Sequence, residues 1–351
     1  MNAKSTYHLS CPIPKTEYEH ILMAHGGGGK LTRQLIEKMF YSGLGNPILE
    51  KGHDGAFLPS IKGEIAFTTD SFVVDPVFFP GGDIGDLAVN GTVNDLLCCG
   101  AEPLYISLAF ILEEGLLMEN LWKIVCSIKK AADAAGVKIV TGDTKVVERG
   151  KGDGIYINTT GIGRILPEQN ISPENSCEGD VVIINGHIGN HGIAIMSARK
   201  GLKLNTHVKS DTQSLSGMMM DLFNKVPGIH VLRDPTRGGL ASSLNEIAQS
   251  SKSGITLYES SLPINEGVRG ACEIMGFDPL YIANEGKMVV ILPQESAQKA
   301  LAIMRSHKEG TESRIIGKVT SSHPGILQME TTIGTHRIVD MISGEQLPRI
   351  C

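Results

Sequence analysis

The feature that most constrains the fold is an alternation of strand-like and helix-like patterns between residues 64 and 143. Strands are predicted at 64–74, 104–112 and 137–143, and helices from about Asp83 and over 121–135. Gly136 supplies a stop signal for the second helix. This first part of the chain is therefore predicted to run β-α-β-α-β.

A polar segment, PEQNISPENSCEGD (167–180), interrupts this alternation, and the apolar run VVIING (181–186) restarts it. Further helices are predicted near 191–200, 213–224, 239–250 and 295–307, and further strands near 255–258, 287–292 and 314–319. With 351 residues there is enough chain for two domains of common size. We expect an α+β protein with domains at 1–166 and 167–342.

Charge and hydropathy exclude two classes of partner. The formal net charge is -6, and no Lys/Arg block is present that could follow a nucleic-acid backbone. No segment has the length and apolarity of a membrane span, and residues 1–20 lack the apolar core of a signal peptide. The chain is expected to be cytoplasmic, without nucleic-acid or membrane partners.

The seven cysteines are an odd number and include no C-x-x-C pair, so neither a disulfide framework nor a zinc site is predicted. The last of them, Cys351, ends the tail SGEQLPRIC (343–351). A C-a-a-X prenylation signal would need its cysteine four residues from the end. The tail has little to bury and is expected to be flexible, with a reach of roughly 30 Å at about 3.3–3.6 Å per residue.

The glycine run HGGGGK (25–30) is not a Walker motif, because Ala24 and Leu31 occupy positions where that motif needs Gly and Ser or Thr. Its free backbone N–H groups still suit an anion, and a helical pattern follows from near Leu31. A flexible loop explains the same composition.

Several carboxylates stand where binding residues often lie. Asp95 falls in the middle of the apolar stripe of the helix that starts near Asp83, and a buried carboxylate needs a cation or several donors. Asp54, Asp70 and Asp143 each border a strand-like run. All four can converge on Mg²⁺ and, through it, on phosphate oxygens; capping of helices and turns is the alternative for each.

In the second half, Asp234, Thr236 and Arg237 precede a glycine pair and a helix, as at an anion site. His191 is better explained as a capping or packing residue than as a catalyst. Glu285, in ANEGK before an apolar strand, suits either a turn or a general base.

A family resemblance runs along essentially the whole chain. It rests on the segments AHGGGGK, TTDSFVVDPVFFPGGDIG, GTVNDL, FILEEGL, VTGDTKVVERG, GNHG, RDPTRGG, ANEGK and the terminal PRIC. In this order they closely resemble the HypE family of hydrogenase maturation proteins. That family is part of the ATP-using superfamily of aminoimidazole ribonucleotide synthetase and selenophosphate synthetase.

The resemblance implies a two-domain PurM-like fold whose N-terminal domain pairs its sheet across a homodimer, with ATP between the domains. It also implies that HypF carbamoylates Cys351, that ATP drives dehydration to a thiocyanate, and that the cyanide passes to a HypC–HypD complex for the iron of [NiFe]-hydrogenase. A terminal cysteine then works as a swinging carrier.

By the same resemblance, Glu285 and Lys145 face the reacting group, with Glu285 the favoured base. The residues assigned to the nucleotide are Gly28, Gly29, Lys30, Asp70, Asn94, Thr144, Asp234 and Arg237, and those assigned to Mg²⁺ are Asp54, Asp70, Asp95 and Asp143.

Two rival functions share parts of this sequence pattern. A selenophosphate synthetase-like enzyme would phosphorylate a free small molecule, but such enzymes use a reactive residue in the N-terminal loop, and Gly26–Gly29 contains no cysteine. A non-catalytic scaffold of the maturation complex would have no need for the acidic residues, Lys145, Glu285 and the tail thiol.

Overall fold

The structure is a computed structural model that describes residues 14, 17–199 and 207–341. The predicted tail and Cys351 lie outside the described residues. The strands are β1 (Ile65–Phe72), β2 (Phe78–Phe79), β3 (Gly82–Asp83), β4 (Ala101–Glu113), β5 (Lys138–Val147), β6 (Ile155–Ile165), β7 (Asp180–Ile184), β8 (Val231–Arg233), β9 (Gly254–Tyr258), β10 (Val289–Pro293), β11 (Arg314–Thr320), β12 (Leu327–Glu330) and β13 (His336–Ile338).

The helices are α1 (Lys30–Leu35), α2 (Ser42–Leu44), α3 (Ile84–Cys98), α4 (Met118–Ala135), α5 (Asn190–Ala198), α6 (Ser216–Lys225), α7 (Gly239–Ser251), α8 (Glu266–Met275) and α9 (Ala297–Ser306). A π-helical stretch, Ile36–Tyr41, joins α1 to α2. Among the described residues, no helix combines the length and the apolarity that crossing a bilayer requires.

The first sheet has the order β1-β6-β4-β5. Strands β4 and β5 run parallel, whereas β6 runs antiparallel to both β1 and β4. Helix α3 packs across one face of this sheet, and α4 packs against α3. The two helices together cover that face. The predicted β-α-β-α-β order is confirmed as β1, α3, β4, α4 and β5.

The opposite face of the first sheet is open. Odd-numbered residues of β1 point to it, and the strand register continues this face through the even-numbered residues of β6 and the odd-numbered residues of β4 and β5. Exposed Ile65, Phe67 and Ile111 lie on it, together with half-buried Tyr105 and Ile162. The molecule thus presents an uncovered sheet face with exposed apolar side chains, which we name the open face.

The second sheet has the order β13-β12-β9-β11-β7-β10-β8 and is antiparallel except between β9 and β12. Strands β7 and β10 are buried on both sides, whereas β13 is exposed. Val182 and Ile184 pack with Leu240 and Leu244 of α7, whereas neighbouring residues such as Ile183 pack toward α6 and α9. Strands β2 and β3 form a third, two-stranded sheet, and the α+β architecture expected from the sequence is confirmed.

Several elements differ from the sequence prediction, and the short strands β2, β3, β8, β12 and β13 are among those not predicted. Strand β6 was not predicted, because its glycines weaken the strand signal; a Cβ on Gly161 would lie 2.7 Å from Thr92 Cγ2 of α3, so close packing demands glycine there. Helix α8 was also missed. Helix α6 begins at Ser216 rather than near 213, because Gln213 and Leu215 use their backbone groups to bind Asn94.

Candidate active site

Four carboxyl groups from distant parts of the chain form what we name the acidic cluster: Asp70, Asp95, Asp234 and Glu285. Asp70 lies on β1, and Asp95 lies on the side of α3 that faces β1, where Thr68 Oγ1 donates a hydrogen bond to Asp95 Oδ2 at 2.8 Å. Asp234 directly follows β8, and Glu285 precedes β10. The cluster therefore lies where the first sheet, α3 and the second sheet meet.

Electrostatics within the acidic cluster oppose ionisation. Burial, followed by the charges of Asp234 and Asp70, raises the pKa of Asp95 to about 7. Burial also raises the pKa of Asp70, an effect that the charge of Arg237 partly offsets. Such crowding of carboxylates is relieved by a proton or by a bound cation.

Glu285 is the most strongly perturbed member. Its side chain is buried, with the residue only 4% exposed, and within the described chain its Oε1 atom has no hydrogen-bond partner. Burial, then the charges of Asp234 and Asp211, raise the pKa of Glu285 well above its usual range. A buried carboxyl oxygen without a partner inside the protein is suited to meet a ligand.

A buried ion pair fixes the turn that carries Glu285. Lys287 Nζ lies 3.1 Å from Asp211 Oδ2, and both side chains are almost fully buried. Asp211 also accepts hydrogen bonds from the backbone N–H groups of Glu285 and Gly286 at 3.2 and 3.3 Å. Although burial alone would raise it, the charge of Lys287 lowers the pKa of Asp211. The carboxylate is thereby kept ionised as the anchor of this turn.

The turn leaves no room for a side chain at Gly286, since a Cβ there would lie 1.9 Å from the carbonyl oxygen of Asp211. Asn284 ties the same turn to α5 and β8, because its Oδ1 accepts from Gly189 N at 2.7 Å and its Nδ2 donates to Pro235 O at 2.8 Å. Glu285 is thus held on a rigid support rather than on a free loop.

Asn94, for which a nucleotide contact is predicted, is hydrogen-bonded inside the protein. Its residue is 1% exposed, its Oδ1 accepts from Leu215 N at 3.1 Å, and its Nδ2 donates to Gln213 O at 3.2 Å and Glu285 O at 3.4 Å. Because donors and acceptor are already occupied inside the protein, Asn94 joins α3 to the second half of the chain.

A second group of predicted residues surrounds a cavity of about 460 Å³ at the β5 edge of the first sheet. Apolar Phe40 and Phe110, stacked on each other, form part of its lining. Asp54, Asp143 and Thr144 contribute polar groups to it. We name this cavity the edge pocket.

The glycine run lies beside the edge pocket. A Cβ on Gly26 would lie 2.6 Å from the backbone nitrogen of Val146 in β5, so the loop can approach this strand only with glycine. Gly28 has a φ of 79° and donates its N–H to Thr32 Oγ1 at 3.0 Å; Gly29 precedes exposed Lys30, the first residue of α1. Thr32 itself lines the pocket.

Lys145 lies on the open face and forms an ion pair with Asp143, with 3.0 Å between Nζ and the carboxylate. Both side chains are more than half exposed. The ammonium group lowers the pKa of Asp143. Lys145 is therefore a solvent-facing cation near the edge pocket, separate from the buried support of Glu285.

A single chain does not bring the four predicted Mg²⁺ carboxylates together. Asp70 lies on β1 and Asp143 on β5, the opposite edges of the first sheet, which are about 14 Å apart at roughly 4.8 Å per strand. Asp95 belongs with Asp70, and Asp54 belongs with Asp143. Within one chain the four carboxylates therefore lie as two pairs, because strand order separates residues that the sequence pattern treats alike, and their assignment to Mg²⁺ stays a prediction.

Sequence reasoning missed the residues that support the site, chiefly Asp211, Lys287 and Asn284. One signal was present, since Lys287 precedes the apolar run of β10 and a lysine buried there requires a counter-charge. The identity of its partner was not readable, because Asp211 lies 76 positions earlier in an irregular segment.

Comparisons with known proteins agree over most of the chain. Residues 52–165 match the N-terminal domain of the AIR synthase related protein family, and residues 178–330 match its C-terminal domain. The carbamoyl dehydratase HypE of Azotobacter vinelandii is 49% identical over 329 residues, which cover 94% of this chain and 96% of that protein.

Solved structures agree as well. The crystal structure of hydrogenase maturation protein HypE in complex with ATP superimposes with a TM-score of 0.91 at 49% identity, covering 94% of this chain and 99% of that one. A HypE–HypF complex gives a TM-score of 0.78 at 50% identity, covering 88% of this chain and 99% of that one.

Proposed function

The chain belongs to the carbamoyl dehydratase HypE family of the AIR synthase related proteins, and we propose how its residues carry out that function. It is a carbamoyl dehydratase of hydrogenase maturation. In our proposal the substrate is an S-carbamoyl group on Cys351, received from HypF and dehydrated with ATP to a thiocyanate. The cyanide group is then transferred to a HypC–HypD complex for the iron centre of [NiFe]-hydrogenase.

The observation that carries the assignment of roles is the buried, unpartnered carboxyl oxygen of Glu285 within the acidic cluster. Dehydration requires phosphorylation of the carbamoyl oxygen, after which phosphate leaves as the last N–H proton is removed from nitrogen. A carboxylate whose pKa is raised by burial accepts such a proton more readily than an exposed one. Glu285 is therefore the proposed base.

The residues present suit a magnesium ion and a nucleotide. Asp70 and Asp95 offer carboxylate oxygens whose pKa values are raised by burial and, at Asp95, also by the charges of Asp234 and Asp70, and a divalent cation would favour their ionised forms. Asp234 lies beside them, and exposed Arg237 offers a cation to phosphate oxygens. When bound, Mg²⁺ would neutralise the negative charge that develops on the phosphate oxygens during phosphoryl transfer.

The edge pocket is the proposed contribution of the N-terminal segment to nucleotide binding. Its apolar lining suits a purine base, and Gly28, Gly29, Lys30 and Thr144, the residues assigned to the nucleotide, lie in it or beside it. Asp54 and Asp143 would hold a second cation there. Lys145 can reach the group on which Glu285 acts only if a second chain or a moving segment brings the pocket and the acidic cluster together.

A second copy of the chain is the proposed partner of the open face. Phe67 is 69% exposed and Ile65 is 53% exposed on an edge strand, and pairing of two such sheets would cover both. Asp143 and Lys145 lie on the same face, so pairing would also enclose them. The homodimer would therefore add to the site as well as to stability.

Intact-protein mass spectrometry tests the proposed reaction. The full chain, incubated with HypF, carbamoyl phosphate and ATP, should gain a carbamoyl group and then become one water lighter. Cys351→Ala should show neither change, whereas Cys99→Ser, at another exposed thiol, should behave as the wild type. Carbamoylation that persists in Cys351→Ala would overturn the assignment of the carrier.

A further inference from the structure

Outside the candidate active site, three side chains with metal-ligating atoms meet at the start of the second sheet. Cys177, Asp180 and His230 place Sγ, a carboxylate oxygen and a ring nitrogen within 4.8 Å of one another. In the part of the chain that the structure describes, no other group of three His, Cys, Asp or Glu residues is arranged in this way. We propose that this trio is a binding site for a zinc-class divalent cation.

Local structure explains how the trio is assembled. Cys177 and Asp180 are brought together by a turn in which Asp180 N donates to Cys177 O at 3.1 Å, and Gly179, with a φ of 94°, permits the reversal. Cys177 N donates in return to Asp180 Oδ2 at 3.0 Å. His230 directly precedes β8, and its backbone N–H donates to the carbonyl oxygen of Ile291 in β10.

The separations suit a shared ion. Cys177 Sγ lies 3.6 Å from Asp180 Oδ2 and 3.8 Å from His230 Nδ1. Ligand atoms around one tetrahedral zinc ion, with bonds of about 2.0–2.3 Å, stand about 3.3–3.7 Å apart. His230 Nδ1 and Asp180 Oδ2 are 2.8 Å apart, so these two atoms would have to separate by about half an ångström to bind the same zinc ion.

Burial and chemistry favour zinc over magnesium. The Asp180 side chain is 2% exposed and that of His230 is 27% exposed, while Cys177 faces solvent. The site therefore has a buried carboxylate at its base and is open to solvent at the thiol. Thiolate and imidazole select borderline-soft cations, whereas Mg²⁺ prefers oxygen ligands and keeps its waters. Water would complete the fourth position of a tetrahedron.

The site is distinct from the acidic cluster. His230 and Asp234 flank β8 at opposite ends and are about 13 Å apart at roughly 3.3 Å per residue. Strand β10 lies between β7 and β8, so a cation at the trio would join the two strands that flank β10 at the end remote from Glu285. Binding of the cation is therefore expected to hold β7 and β8 together at this end of the sheet and to stabilise the fold.

Cobalt substitution tests the proposal with a readout independent of dehydratase activity. The full chain, first stripped with a chelator, is titrated with Co²⁺ and its thiolate-to-cobalt absorption is followed, with Zn²⁺ as competitor. Cys177→Ser should lose the absorption and weaken Zn²⁺ binding by at least about 10–100-fold, since even outer partners of a bound metal are worth that much. Cys99→Ser retains every other thiol and should match the wild type.

His230→Asn is the second variant, because an asparagine amide can still donate to Asp180 but is a poor ligand. Its metal-free melting temperature should equal that of the wild type, whereas the increase of several degrees that Zn²⁺ produces in the wild type should disappear. Any increase that Mg²⁺ produces by binding the acidic cluster should be the same in His230→Asn as in the wild type. The proposal is overturned if wild type and Cys177→Ser show the same cobalt absorption, or if Zn²⁺ stabilises both equally.

Discussion

Among single residues, Glu285 and Lys287 occupy one turn but have different tasks: Glu285 faces the proposed reaction, while Lys287 supports the turn from within. Glu285→Gln should still bind ATP and still receive the carbamoyl group, because neither step needs a proton acceptor at this position. Dehydration should slow by about 10²–10⁴-fold. Intact-mass analysis over a time course should therefore show the carbamoylated form accumulating.

Glu295→Gln is the matched control, since Glu295 is exposed in the same half of the chain, and it should leave the rate unchanged. Loss of water from Glu285→Gln at the wild-type rate would make Glu285 a turn residue and transfer the role of base elsewhere.

Lys287→Met should destabilise the fold by about 3–5 kcal/mol, because it leaves the Asp211 carboxylate buried without its counter-charge. Denaturant unfolding measures this loss. The double variant Asp211→Asn with Lys287→Met removes both charges and should recover a substantial part of it. Equal stability of Lys287→Met and the wild type would show that the ion pair contributes nothing to holding the turn.

At the scale of secondary-structure elements, α3 depends on a cap with an unusual titration. Asp83 accepts from Gly85 N at 2.7 Å, and Asp86 accepts from Asp83 N at 3.1 Å. Burial, followed by the charge of Asp83, raises the pKa of Asp86 to about 8. The helix that carries Asp95 is therefore capped by a carboxyl group that holds its proton near neutral pH.

This cap predicts a pH dependence of stability. Because the folded-state pKa lies above the unfolded value of about 4, the folded chain holds a proton that the unfolded chain releases. The contribution of Asp86 is therefore fully present below about pH 4 and is lost as the pH rises toward about 8. Asp86→Asn keeps the cap acceptor and removes this titration.

Melting temperatures measured at about pH 5 and about pH 9 check the prediction: that of the wild type should fall by several degrees more than that of Asp86→Asn. Parallel curves for the two proteins would show that Asp86 is ionised in the fold over this range.

At the scale of the whole molecule, the open face predicts self-association. Phe67→Asp places a charge in the middle of the surface that the proposed homodimer buries, and it should convert the dimer to a monomer in analytical ultracentrifugation. Ile333→Asp is the control, because Ile333 is 84% exposed in the second half and lies away from the open face. A dimer that survives Phe67→Asp would place the interface elsewhere.

The sequence by itself determined the order of the main elements and the chemical character of the site. Apolar periodicity predicted β1, α3, β4, α4 and β5, because side chains that face a core repeat with the period of the element that carries them. The same logic placed Asp95 on the inward side of α3, where it meets Thr68. Family resemblance supplied the function, which the comparisons then supported.

Only the tertiary structure decided which of these residues meet. Strand order separates Asp143 from Asp70, and long-range packing assigns Asn94 to the protein interior and pairs Lys287 with Asp211. The sequence argued against a zinc site from the absence of C-x-x-C, yet a turn and the start of β8 bring Cys177 to His230, 53 positions away. Periodicity reports which way a side chain faces within its own element, whereas the distance between elements is set by sheet order and packing, which no local pattern encodes.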